Sequence, residues 1–167
     1  MAEWAGPERP DPEESGQRDV ADLLPLALSR PREALTRAQA ILQAGPGPYQ
    51  ASVAHQMTGI VLREFGDVHA GVRELRVALR LARRAGSLTR EADVSAALGV
   101  GLAWAGQTTR GLAALDWAVN VSDGVQEARM LHRRALVLYA LGRHEAAHQD
   151  ESRAIRLLHE TRNETDG

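Results

Sequence analysis

The sequence predicts an all-α chain built as an array of antiparallel helical hairpins, and three observations carry that reading. Ala, Leu, Arg and Glu dominate its 167 residues while aromatics make up only 4%, which is the composition of helices. A set of small and apolar residues recurs along the chain with unchanged internal spacing. Between the recurring glycines, apolar residues fall at steps of three and four, the period of one helix face.

The repeat comes first, because self-similarity decides architecture. Gly59, Leu62, Gly66, Gly71, Leu75, Ala78 and Leu79 return forty residues later as Gly99, Leu102, Gly106, Gly111, Leu115, Ala118 and Val119. They return again after thirty-six as Ala135, Leu138, Gly142, Ala147, Glu151, Ala154 and Ile155. Only the distance between units changes, so the extra residues belong at the ends of the second helices, near 85–88 and 121–124. Gly66, Gly106 and Gly142 each close an apolar-periodic stretch, where a left-handed helix cap favours a residue without Cβ. Val68, Val72, Leu75, Leu79 and Ala82 then resume at steps of four, three, four and three. Gly59, Gly99 and Ala135 sit inside first helices, and Gly71, Gly111 and Ala147 inside second ones. Glycine there costs roughly 1 kcal/mol against Ala, so small residues in both partners predict close approach of two backbones.

Ahead of this array, residues 22–28 and 31–44 read as an irregular leading pair. Pro25 interrupts its first arm, and Pro31 is tolerated in a first helical turn. Gly45-Pro46-Gly47-Pro48 breaks the chain before the regular units. The expected organisation is a disordered tail at 1–18, the leading pair at 19–47, and three repeats over 48–161. Those repeats divide at about 48–86, 87–122 and 123–161, and a short disordered tail is expected at 162–167.

Small residue, large apolar residue, helix-ending Gly, small residue, large apolar residue, Ala: this order resembles the tetratricopeptide repeat over 59–79, 99–119 and 135–155, and more loosely over about 48–160. The resemblance implies a right-handed α-solenoid that binds proteins and does no chemistry. Thr58 and Arg134 depart from the apolar residue that the family places before the small one, whereas Leu98 keeps it. No Pro closes a unit, so long second helices are expected. The Arg-rich repeats, led by Ser29-Arg30-Pro31-Arg32-Glu33-Ala34, are also similar to the amino-terminal repeat region of bacterial proteins with a caspase-like CHAT peptidase domain. There the repeats are implied to sense or dock, and the peptidase works with Cys and His. This chain contains 0 Cys, so that activity does not reside in it.

Composition excludes more. A net charge of −2 argues against nucleic acid as a partner. No run of eighteen apolar residues predicts a membrane span, and the acidic, Pro-rich start carries no apolar secretory stretch; the expected compartment is cytoplasmic. Without Cys there are no disulfides and no thiolate ligands or nucleophiles. All 20 basic residues are Arg, which suits flat, bidentate contacts with carboxylates. No Gly-x-Ser-x-Gly elbow surrounds a serine, and no Gly-rich loop with Lys cradles phosphate. No cofactor is expected.

His144-Glu145-Ala146-Ala147-His148 matches H-E-x-x-H, which places two imidazoles one turn apart with a Glu able to activate water. A metal-dependent hydrolase is therefore one alternative. Against it, Ala147 already serves as the small residue of the third repeat. The position for a third ligand in the extended motif holds Ala154, and zinc needs three protein ligands for catalysis.

The favoured reading is a non-catalytic protein-interaction module. In a solenoid the first helix of each unit lines the concave side, which assigns Gln56, Ile60, Arg63, Val100, Trp104, Arg129, His132, Arg133, Leu136 and Tyr139 to a partner-binding groove. Its centre is an apolar stripe, Ile60–Val100–Leu136, flanked by Arg63, Arg129 and Arg133, suited to a peptide with an apolar anchor and a nearby carboxylate. The competing reading is that the three stripe residues only pack between units. The Lys/Asn clamp by which chaperone-binding tetratricopeptide domains resemble one another is absent. A third possibility is a homo-oligomeric structural piece joined through the C-terminal helix, because Ile155, Leu157 and Leu158 leave apolar surface there.

Overall fold

The computed structural model describes residues 20–166, and among them it is all-helical, with eight helices and no strand. A single turn, α1 (Leu26–Ser29), precedes α2 (Pro31–Gln43). Three helix pairs follow: α3 (Pro48–Glu64) with α4 (Val68–Ala85), α5 (Leu88–Trp104) with α6 (Thr108–Asn120), and α7 (Gly124–Ala140) with α8 (His144–Thr165). The expected tail at 1–18 lies outside the described residues. The expected tail from 162 is corrected in part, because α8 stays helical through Thr165.

Each pair is closed by the same device. Gly66, Gly106 and Gly142 have φ of +92°, +85° and +75°, a region that L side chains adopt only with strain. The following residue donates its N–H five positions back: Asp67 to Leu62 at 3.0 Å, Gln107 to Leu102 at 2.8 Å, Arg143 to Leu138 at 2.9 Å. Those bonds satisfy carbonyls that a helix end would otherwise orphan. The Asp67 side chain accepts from the Ala70 N–H and the Ser87 hydroxyl from the Arg90 N–H, capping α4 and α5. The longer spacing between the first two units is absorbed at the end of α4, which has 18 residues where α6 has 13.

Within pairs, the small residues meet as the spacing requires. A Cβ built on Gly71 would stand 2.7 Å from the Gly59 carbonyl oxygen, and one on Gly111 would stand 2.5 Å from that of Gly99. In the third pair Ala135 and Ala147 hold the same register and are fully buried. Helices also pack from pair to pair, and the first helices touch one another directly, α3 with α5 and α5 with α7. Because α5 is flanked on every side, its apolar residues run around the whole helix rather than along one stripe. One core cluster joins Val53, Met57, Val61 and Leu75 to Ala97 and Leu98. A second joins Val100 and Leu115 to Met130, Leu131 and Val137. No described helix is long and apolar enough to cross a membrane.

Candidate functional site

The first helices α3, α5 and α7 carry all the assigned groove residues, but they do not leave them equally open. Gln56, Ile60 and Val100 are buried. Ile60 lies in the cluster with Ala97 and Leu98 of α5, and Val100 in the cluster with Ala128 and Leu131 of α7. An open groove along all three units is therefore corrected: its apolar stripe is covered at Ile60 and Val100. Leu136, Tyr139, His132, Arg129 and Trp104 remain exposed, and Arg133 is partly so.

Where a groove was expected, the side chains of three first helices interlock. Arg90 of α5, only 3% exposed, donates from Nε to Ser52 Oγ at 3.1 Å and from Nη2 to Gln56 Oε1 at 2.5 Å, both on α3. Gln56 Nε2 donates to Asp93 Oδ2 at 2.8 Å. From α7, Arg133 Nη1 reaches back to Asp93 Oδ1 at 2.9 Å and to the Asp93 carbonyl at 3.0 Å. Arg90 also lies over the Tyr49 ring, 5.7 Å from its centroid, a cation–π distance. Asp93 is the hub. Burial alone would raise its carboxyl, but Arg133 and Arg90, with the Gln56 amide, outweigh that and hold it below the ordinary carboxylate range. Burial pulls Arg90 below the usual guanidinium value, partly offset by Asp93. Burial likewise lowers Arg63, with Glu64 opposing and Arg133 adding to the shift.

Ser52, Arg90 and Asp93 escape a repeat-based reading because their partners stand 34 to 40 positions away. The signal was an Arg and an Asp one turn apart at the head of α5, whose remainder is almost wholly small and apolar. The departure at Arg134 also has a physical reason. Its guanidinium grips Asp150 of α8 with two bonds, 2.7 and 2.8 Å, and reaches Asp116 of α6 at 3.1 Å. The hydrogen bond to Asp150 raises its pKa despite burial.

His144 and His148 are exposed on α8. The His144 ring meets Tyr139 edge-on, with centroids 4.7 Å apart, at a shallow hollow lined by Arg143, Glu145 and Gln149. Among the described residues no three His, Cys, Asp or Glu side chains are grouped so as to hold a metal ion. His55 and Glu74 share a 2.6 Å hydrogen bond beside a second hollow between α2, α3 and α4. Trp104 and Trp117 are both partly open to solvent. No protein-family model, no curated protein and no solved structure matches the chain.

Proposed function

We propose that the chain is a cytoplasmic, non-catalytic protein-interaction scaffold: a right-handed solenoid of tetratricopeptide-like hairpins that holds a peptide or protein partner against its last pair of helices. One observation carries this reading. Ile60, Val100 and Leu136 occupy one repeat position, yet the first two are 8% and 5% exposed and the third is 49% exposed. Leu136 lies on α7 with Arg129, His132 and Tyr139 at helical spacing, an apolar strip edged by the Arg129 guanidinium. Apolar side chains left contiguous on a helix face mark contact surfaces, and a cation beside them favours a partner carrying carboxylates. The Asp93 network ties α3, α5 and α7 into one unit, so binding has little to order. The similarity to repeat regions that accompany CHAT peptidases supports a docking role within a larger regulatory system.

The test is affinity capture from a lysate of the source cells with the full chain as bait, beside Leu136→Asp and Arg129→Glu. Both positions are exposed, so the variants should keep the helical circular-dichroism spectrum of the parent. The expected result is a partner retained by the parent chain and lost by both variants. Identical capture by all three baits would refute the reading.

A further inference from the structure

The repeat register says what kind of body fits the open face of α7 and α8. Each earlier hairpin is covered by the first helix of the next, and the contacts are visible. Leu79 and Ala82 of α4 pack with Val94 of α5. One repeat on, Val119 of α6 lies in the cluster with Met130 of α7, the counterpart of Val94. In the last hairpin the counterparts of Leu79 and Ala82 are Ile155 and Leu158, and both are exposed. Beside them, the residue three after Val94, Ala97, shares a cluster with Val53. The residue three after Met130, Arg133, pairs with Asp93. Val53 and Asp93 correspond to Arg129, which is exposed and makes no ion pair among the described residues. Further along the covering helix, Gly101 sits against Val72 and Leu75 of α4. Their counterparts on α8 are His148 and Glu151.

We infer that this face docks an amphipathic helix of a separate protein, laid where a following first helix would lie. Its chemistry follows position by position. A large apolar residue meets Ile155 and Leu158, an acid three residues later meets Arg129, and a small or polar residue four further on lies by His148 and Glu151. The inference rests on the interaction-scaffold reading and names its partner. A second copy is disfavoured, because the exposed apolar residues of this chain do not offer the full pattern: Ile155 is followed three residues on by Leu158, Leu158 by Thr161 and Leu136 by Tyr139, while Leu88, which does carry Glu91 there, has a buried Ser95 four residues further on in the enclosed α5.

The probe is a fluorescein-labelled peptide copying residues 124–141 with Arg133→Glu, titrated against the full chain by fluorescence polarisation. The control peptide keeps Arg133. The acid peptide should bind at least about tenfold tighter than the control, and the preference should invert on the Arg129→Glu chain. Leu158→Asp should abolish binding of both peptides while leaving the chain's circular-dichroism spectrum unchanged. Absence of binding to the parent chain, a preference that does not invert, or binding that survives Leu158→Asp overturns the inference. So does a parent chain that sediments as a dimer and becomes a monomer on Leu158→Asp, which gives the face to a second copy. If the capture experiment still shows a partner lost by Leu136→Asp while the peptides fail, the scaffold reading stands and only the helix assignment falls.

Discussion

At Gly59–Gly71 and Gly99–Gly111 the two helices of a hairpin touch backbone to backbone, whereas the third hairpin carries Ala135 and Ala147 in the same register. The contrast continues outward. Leu75 and Leu115 are fully buried, but their counterpart Glu151 is partly open and bonds His132 at 2.7 Å. Ile60 and Val100 are covered while Leu136 is not. A shared spacing thus produces two buried junctions and one open face, and the side chains differ accordingly. At these repeat positions the residues that meet another helix are small or apolar, and those at the open end are mixed, with His132, His148 and Glu151 set among Leu136, Ile155 and Leu158. The repeat encodes position, and the neighbour decides what each position experiences.

That comparison can be broken most severely at the junction hub. Asp93→Ala leaves Arg90 and Arg133 facing each other without their shared carboxylate. Removing one partner from a buried ion pair costs about 3–5 kcal/mol, and with Arg133 partly solvated the lower end, about 3 kcal/mol, is expected in urea unfolding. The surface pair His132–Glu151 gives the contrast: Glu151→Gln should move the midpoint little, because exposed pairs contribute about 0–1 kcal/mol.

Next in size is the hairpin contact. Gly111→Ala places a methyl 2.5 Å from a carbonyl oxygen and 2.9 Å from the Ala103 nitrogen, backbone atoms that do not move cheaply. Overpacking costs about 1–3 kcal/mol, against roughly 1 kcal/mol gained in helix propensity. A net loss of up to about 2 kcal/mol is expected by chemical denaturation, and a stabilised variant would refute the backbone contact. Ala135→Gly in the third hairpin should also destabilise, by about 1 kcal/mol, since it loses propensity and relieves no clash.

A smaller, reversible version of the Asp93 deletion is titration. Its folded-state pKa lies below that of the unfolded chain, so its contribution is fully present above the ordinary carboxylate value, about 3.9. It is lost as pH falls through the folded value. Unfolding free energy of the parent should therefore drop more steeply below about pH 4 than that of Asp93→Asn. Parallel profiles would mean the hub carboxylate is not held by its two guanidiniums. The smallest effect is at the open end: Leu136→Ala, half exposed, should change stability by less than about 0.5 kcal/mol, where Leu115→Ala should cost about 2–5 kcal/mol.

The helices, their pairing and their turns were readable because each rests on local chemistry. A glycine at positive φ announces itself by type, and the 3.6-residue period of Val68, Val72, Leu75, Leu79 and Ala82 is written in consecutive positions. The close approach at Gly71 and Gly111 was readable too, since glycine inside a helix is unfavourable without a compensating contact. The leading pair was only half legible: Pro25 signalled a broken arm, and α1 is indeed a single turn. The groove was misread at Gln56, Ile60 and Val100 because identical apolar and polar types serve buried junctions and open faces alike.

Local rules of backbone conformation and helical period were enough to place eight helices and the contacts inside each hairpin, because those interactions join residues a few turns apart. Exposure is different in kind: Ile60 and Leu136 share a register and an apolar character, and only the presence of α5 over the one and of no described helix over the other separates them. The Arg90–Asp93–Arg133 network likewise exists only once α3, α5 and α7 lie side by side. Burial and ion pairing are sums over neighbours distant along the chain, so they are settled by packing.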